Sequence, residues 1–214
     1  MDFVSAAVAL FVGLFVLTHP FGNFAIFLGL TANQSLEEQK RTAMKTSVAS
    51  LVIALVSLFF GSSVLAFFGL TIPALQVAGG LIFLTMGMKM VGGEEGGEEN
   101  TEKDVDSLET KGDPSVVPLA LPMIMGPGVI VGMISFANNS LGEGFTAGHL
   151  GAIVGTVLAV IVVWLVLRAS PWLATKMSPA SIQLITQLTG IIVLGIGVLM
   201  GSAGLVEIFP GWGG

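Results

Sequence analysis

The chain has 214 residues, 53% of them hydrophobic and only 10% charged, with a mean hydropathy of +0.92 and a net charge of −6. That balance excludes a soluble globular domain and identifies a polytopic, all-α membrane protein. Cysteine is absent and histidine occurs twice, so disulfides, thiol nucleophiles and His/Cys metal sites are excluded, and no metal or cofactor is expected.

A helix needs about 20 residues to cross the roughly 30 Å hydrocarbon core. On that ruler six spans follow one another, at residues 3–30, 42–66, 72–91, 116–139, 147–170 and 181–205. The first starts after Asp2 with no basic residue ahead of it, which reads as a retained span rather than a cleavable signal. It is interrupted by Thr18-His19-Pro20-Phe21-Gly22-Asn23. Thr46, Ser47 and Ser50 form a polar patch near the start of the second span, where bonding back to the helix's own carbonyls is the simplest role for a hydroxyl. Between the third and fourth spans, residues 92–114 hold nine of the fourteen acids and read as a solvated linker rather than a ligand cage. The fourth span is broken by "LPMIMGPG", Leu121 to Gly128. The fifth and sixth carry only glycines that a membrane helix tolerates, with His149 near the start of the fifth.

Lys and Arg in the loops set orientation, because excess positive charge stays cytoplasmic. Lys40, Arg41 and Lys45 flank the first loop, Lys89, Lys103 and Lys111 belong to the third, and Arg168 and Lys176 flank the fifth. All eight fall on one side, which places both termini outside the cell membrane. Two short echoes suggest internal repetition: "TANQSL" at Thr31 against "FANNSL" at Phe136, and Gln76-Val77-Ala78-Gly79 against Gln187-Leu188-Thr189-Gly190. Both keep the same order beside equivalent breaks. Three spans per copy is an odd number, so the second copy enters from the opposite face. The expected architecture is a 3+3 inverted repeat with discontinuous helices 1 and 4: residues 1–91, the acidic cytoplasmic linker 92–114, and residues 115–214.

Freed backbone groups have no water to satisfy them in a bilayer, so a broken helix persists only where it is buried in protein or lines a polar cavity. Two breaks at equivalent places point to one shared cavity. Proline ends a helix and glycine permits close backbone approach; a half-helix N-terminus then favours an anion and a C-terminus a cation. No Asp or Glu lies inside any span, so a substrate without net charge, met at both poles by backbone, is the one that fits. Small neutral amino acids are such zwitterions, and Phe21, Phe24 and Met125 beside the breaks would limit side-chain size. Thr18, Gln76, Gln187 and Met125 are candidates to line the cavity, although the two glutamines could equally hold helices together. His19 is the one titratable group near mid-span and could couple transport to protons, or stand neutral on a freed carbonyl. Asn23 is placed to cap the second half-helix with its side-chain oxygen, or to bind the ligand.

"HPFGNFAIFLGLT", "ALQVAGGLIFLTMGMKMV" and "PLALPMIMGPGVI" resemble the MarC family of six-span inner-membrane proteins, which includes small-neutral-amino-acid transporters of the SnatA type and is grouped with the LysE-like exporters. The resemblance covers nearly the whole chain, the acidic linker excepted. It implies a glycine- or alanine-like substrate held at the breaks, by Pro20, Gly22 and Asn23 with Gly126, Pro127 and Gly128, and it departs from the family pattern at His19, Ala25 and Gln76. An enzyme is not expected: no Ser-His-Asp set shares one depth, and neither HExxH nor a phosphate-binding glycine motif occurs. Nothing basic and aromatic is interleaved as a nucleic-acid surface requires. Besides the transporter, three readings stay open on the residues alone: an exporter without ion coupling, a small-solute channel, and a scaffold that carries nothing. Oligomeric state is not legible.

Overall fold

The computed structural model describes residues 1–93, 113–141 and 145–212, the side chains of Ala25, Pro122 and Trp212 apart. The acidic run of the linker, with Lys103 and Lys111, lies outside the described residues. Eight helices follow in order: α1 (Phe3–Thr18), α2 (Pro20–Leu30), α3 (Leu36–Phe67), α4 (Ile72–Gly92), α5 (Ser115–Ile124), α6 (Pro127–Ser140), α7 (Ala147–Lys176) and α8 (Pro179–Ile208), closed by a short turn at Pro210–Trp212. Among the described residues α3, α4, α7 and α8 are each long and apolar enough to cross a membrane, and α1 with α2, bent by 42° at their junction, makes a fifth candidate.

The expected fourth span is not one continuous helix. Its two parts, α5 and α6, have 10 and 14 residues, and the reason is proline spacing. A residue before proline is pushed out of the helical region, and Val117 and Leu121, each directly before a proline, are extended (φ −124°, ψ 121° and φ −134°, ψ 125°). The hydrogen bonds that survive reach back five residues, Leu119 N–H to Pro114 O at 3.1 Å and Met125 N–H to Ala120 O at 2.9 Å.

Other boundaries follow from caps. α3 starts at Leu36, earlier than apolarity suggested, because Ser35 and Glu38 form a reciprocal capping box. α7 runs past Pro171 to Lys176, where the sequence reading stopped at residue 170. The Ser170 hydroxyl donates to the Leu167 carbonyl, the acceptor that proline's missing N–H leaves open, which is how a membrane helix tolerates an internal proline.

Packing is set by small residues. α1 runs parallel to α7: a Cβ at Gly151 would lie 2.1 Å from Phe3 O, and one at Gly155 2.3 Å from Ala7 O. α4 and α8 run antiparallel, with Gly80 against Gly197 and Gly201, Gly87 against Gly190, and Gly204 against Pro73. α3 lies beside α5, α6 and α7, with Ile134 filling the space above Gly61. Such close approaches are how helices associate where lipid removes the hydrophobic drive. Val48, Val52 and Val56, one turn apart on α3, stay exposed and form the kind of apolar stripe that lipid solvates.

The two ends of the bundle are tied differently. At one end the N-terminal ammonium donates to Ser140 O at 3.1 Å, and His149 stacks on Phe59 with ring centroids 6.4 Å apart. At the other, Lys45 on α3 pairs with Asp113 at the head of α5. Hydrogen bonds from Lys45 and Ser115 hold the Asp113 carboxyl down at about 2. A depressed carboxyl stabilises above its unfolded pKa near 4 and loses that contribution as pH falls through its folded value. The melting-temperature difference between wild type and Asp113→Asn is therefore expected to be flat from about pH 8 to pH 5 and to shrink from about pH 4 toward pH 2. It should also be small, because the pair is half exposed.

Candidate functional site

The first break is a single residue. His19 closes α1 and opens α2 with φ 40° and ψ 60°, a left-handed conformation that costs about 1–2 kcal/mol for a non-glycine residue. Local bonds offset it. The His19 amide donates to Val16 O at 3.3 Å, and its carbonyl accepts from Gly22 at 3.0 Å and Asn23 at 3.1 Å. Asn23 works in the opposite sense from the expected cap: its side-chain amide donates to Thr18 O at 2.7 Å, finishing α1 rather than starting α2. Thr18 bonds back to Leu14 O at 2.7 Å. The backbone groups freed at this break are thus largely satisfied within it.

The imidazole of His19 is buried and, among the described residues, meets neither a freed carbonyl nor an acid. Its Nε2 lies 3.2 Å from the Thr186 hydroxyl of α8, and the ring covers Gly22 so closely that a Cβ there would fall 2.2 Å from Cδ2 and 2.3 Å from Nε2. Gly22 is therefore required for the ring to reach Thr186.

The second break lies at Met125-Gly126. Met125 is buried, Gly126 is the N-cap of α6, and Pro127 takes its first position, with no side-chain cap on the helix. Proline has no amide and the Ile130 N–H returns to Gly126 O, so the amides of Gly128 and Val129 are the uncapped donors of α6. Both breaks begin their second half-helix with proline at the same position, yet the first is closed on itself and the second has no side-chain acceptor.

Between α1, α4, α6 and α8 lies a half-open cavity of about 170 Å³, lined by Gly13, Leu17, Phe83, Gly132, Phe136 and Met200 among others, with no charged group among its lining residues. It stops just short of the breaks. Leu17 precedes His19 by two residues, and Phe83 packs on Gly128, whose Cβ would fall 2.6 Å from the Phe83 ring. Phe83 and Leu17 close the cavity on the side of the breaks, so none of Pro20, Phe21, Gly22, Asn23, Gly126, Pro127 or Gly128 lines it in this conformation. Phe21 instead stands edge-on to Phe15 at 6.2 Å, Phe24 is core, and the aromatic rings that bound the cavity are Phe83 and Phe136.

Both glutamines belong to the α4–α8 seam. Gln76 is buried beside Gly204, and Gln187 donates to Val91 O at 3.2 Å at the opposite end. Phe83 and Thr186 were not legible from sequence as site residues: Thr186 is one of several hydroxyls on its helix, and Thr189 and Ser202 there bond to their own helix.

The chain matches the model of the MarC family integral membrane proteins over residues 4–209. Among its relatives, a UPF0056 membrane protein of Bacillus subtilis (strain 168), YvbG, is 32% identical over 96% of this chain and 97% of its own length. The UPF0056 membrane protein YhcE of Escherichia coli (strain K12) is 29% identical, covering 94% and 92%. The UPF0056 inner membrane protein MarC of Escherichia coli O1:K1 / APEC is 31% identical, covering 90% of each chain. No solved structure matches.

Proposed function

The chain belongs to the MarC family of integral membrane proteins, and from that premise we propose that it is a secondary transporter of small neutral amino acids, glycine and alanine foremost, in the inner membrane. It has six spans, α1–α2, α3, α4, α5–α6, α7 and α8, arranged as an inverted repeat of three with the first and fourth discontinuous and both termini outside.

The arrangement of neighbours supports the repeat. Exchanging α1–α2 with α5–α6, α3 with α7 and α4 with α8 turns the pairing of α1 and α2 on α7 into that of α6 and α5 on α3, and the pairing of α4 on α6 into that of α8 on α1 and α2. The seam does the same in detail, in a register one residue away from the Gln76/Gln187 echo: placing Gly80 on Gly190 and Gly87 on Gly197 converts the Gly80 contact to Gly197 into the Gly87 contact to Gly190. Weak symmetry of this kind, with broken helices at the repeat interface, is the architecture of alternating access.

The observation that carries the substrate class is the cavity beside the breaks. About 170 Å³ lies below the roughly 300–1,000 Å³ of drug-sized ligand sites, which suits a solute of a few heavy atoms. Its apolar wall suits a hydrogen or a methyl group. The charged poles of a zwitterion have no side-chain partner in that wall, and the uncapped amides of α6, behind Phe83 in this conformation, would serve a carboxylate once that ring moves aside. Closure by Leu17 and Phe83 favours a carrier over a continuous pore. His19, on the hinge between half-helices and bonded across to α8, is the group through which protons would couple to the cycle.

The test is uptake of labelled glycine and alanine into proteoliposomes with and without a pH gradient, in wild type and His19→Gln. Saturable, gradient-stimulated uptake is expected in wild type, and gradient-independent uptake in His19→Gln. Absence of saturable uptake by folded wild-type protein would remove the substrate class, and unchanged gradient dependence in the variant would remove the coupling role.

A further inference from the structure

Two of the three hydroxyls in the polar patch on α3 do not behave as hydroxyls in a membrane helix usually do. Ser47 bonds back to Ala43 O at 2.9 Å and Ser57 to Ile53 O at 2.8 Å, the expected resting state. Thr46 and Ser50 are fully buried and have no hydrogen-bond partner among the described residues. A buried hydroxyl without a partner costs on the order of 1–3 kcal/mol, and here two of them stand one turn apart on the same face.

The same face leads out of the bundle. Thr42 lies one turn before Thr46, and it lines a cleft of about 240 Å³ with Gln34, Glu38, Arg41, Lys45 and Asp113. The cleft carries both signs of charge, and Lys45 and Asp113 pair across it, joining α3 of the first repeat to the start of the second. Arg41 is exposed and unpaired among the described residues. α5, which packs against α3, is the irregular helix of the proline-spaced second break.

We propose that Thr46 and Ser50 line the half of the solute path that runs from the second break to the basic end of the molecule, through the mixed-charge cleft, and that the Lys45–Asp113 pair closes this half in the present conformation. The proposal rests on the alternating-access reading and names the side of the carrier that the apolar cavity leaves unassigned. In the open state the two hydroxyls would find their partners in water and in the ammonium and carboxylate of a passing zwitterion. A cleft with both signs of charge receives such a solute without trapping it as a single-sign site would.

The chain contains no cysteine, so single cysteines can be read in the natural background. Thr46→Cys, Ser50→Cys and, as a lipid-facing control, Val52→Cys are treated in oriented vesicles with the membrane-impermeant reagent 2-sulfonatoethyl methanethiosulfonate from either side. Ser50→Cys and Thr46→Cys are expected to react from the Lys45 side only and faster than Val52→Cys. Adding Asp113→Asn should raise the rate measurably, by about twofold to fivefold, the upper figure being the most that an exposed pair contributes. Full labelling after denaturation, with native rates no higher than at Val52→Cys from either side, would overturn the proposal. So would reaction from the opposite side, or a rate indifferent to Asp113→Asn. If the cysteines react as expected while wild type carries neither glycine nor alanine, the amino-acid reading fails and the path stands.

Discussion

Gly128→Leu is expected to reduce saturable glycine uptake to background while the protein still reaches the membrane and folds. A Cβ at this position would fall 2.6 Å from one atom of the Phe83 ring, 3.0 Å from another and 3.4 Å from Ile82, well inside the roughly 3.5–4.0 Å at which carbon atoms rest against each other. Phe83 has no surface exposure and cannot swing outward, so it must move toward the cavity it already bounds. A leucine adds three more carbons to the same space and covers the amides at the start of α6. The overpacking itself costs about 1–3 kcal/mol, so transport should be lost well before the fold. The contrasting variant is Gly13→Ala, which lines the same cavity with nothing within 4 Å of its new Cβ. It should fold as wild type and favour glycine over alanine, because it removes room without moving a wall. Undiminished glycine uptake by Gly128→Leu would show that the α6 N-terminus is not where the substrate sits.

What the sequence made legible was whatever depends on chain-local chemistry. Hydropathy located α3, α4, α7 and α8 to within a few turns, because a buried polar segment of that length would have no partners in lipid. Proline and glycine located both breaks, because the constraints at Pro20, Pro127 and the residues before Pro118 and Pro122 belong to the chain itself. Tertiary partners were not legible. Asn23 is placed by sequence to cap the second half-helix or to bind the ligand, yet across the left-handed turn at His19 its amide donates to Thr18 O. Gln76 and Gln187 match in the sequence echo and are candidates for one cavity on that ground, but α4 and α8 run antiparallel, so the two side chains lie at opposite ends of the seam, beside Gly204 and Val91. The echo between Thr31 and Phe136 also holds in letters more than in structure: the first copy is the turn that leads to the Ser35 cap, and the second is the last turn of α6.

The α4–α8 seam sets the second large expectation, and it concerns stability. A Cβ at Gly80 would lie 2.7 Å from both Cα and N of Gly201 and 2.8 Å from Gly197 O. Every one of these is a backbone atom, so no rotamer change can relieve the contact and the two helices must separate. At Gly128 a ring can move, but at Gly80 only a helix can. Gly80→Leu is therefore expected to cost roughly 3 kcal/mol or more, the upper end of overpacking penalties, seen as a large fall in melting temperature in detergent and loss of purified yield. Gly195→Leu on α8, where nothing lies within 4 Å of the new Cβ, should leave both unchanged and exclude a general effect of adding leucine to a membrane helix. Should Gly80→Leu melt as wild type, the two helices do not meet at the distance described. The exchange of glycine contacts that supports the inverted repeat would then lose its basis. The seam thus makes the architecture testable by a measurement that needs no substrate at all.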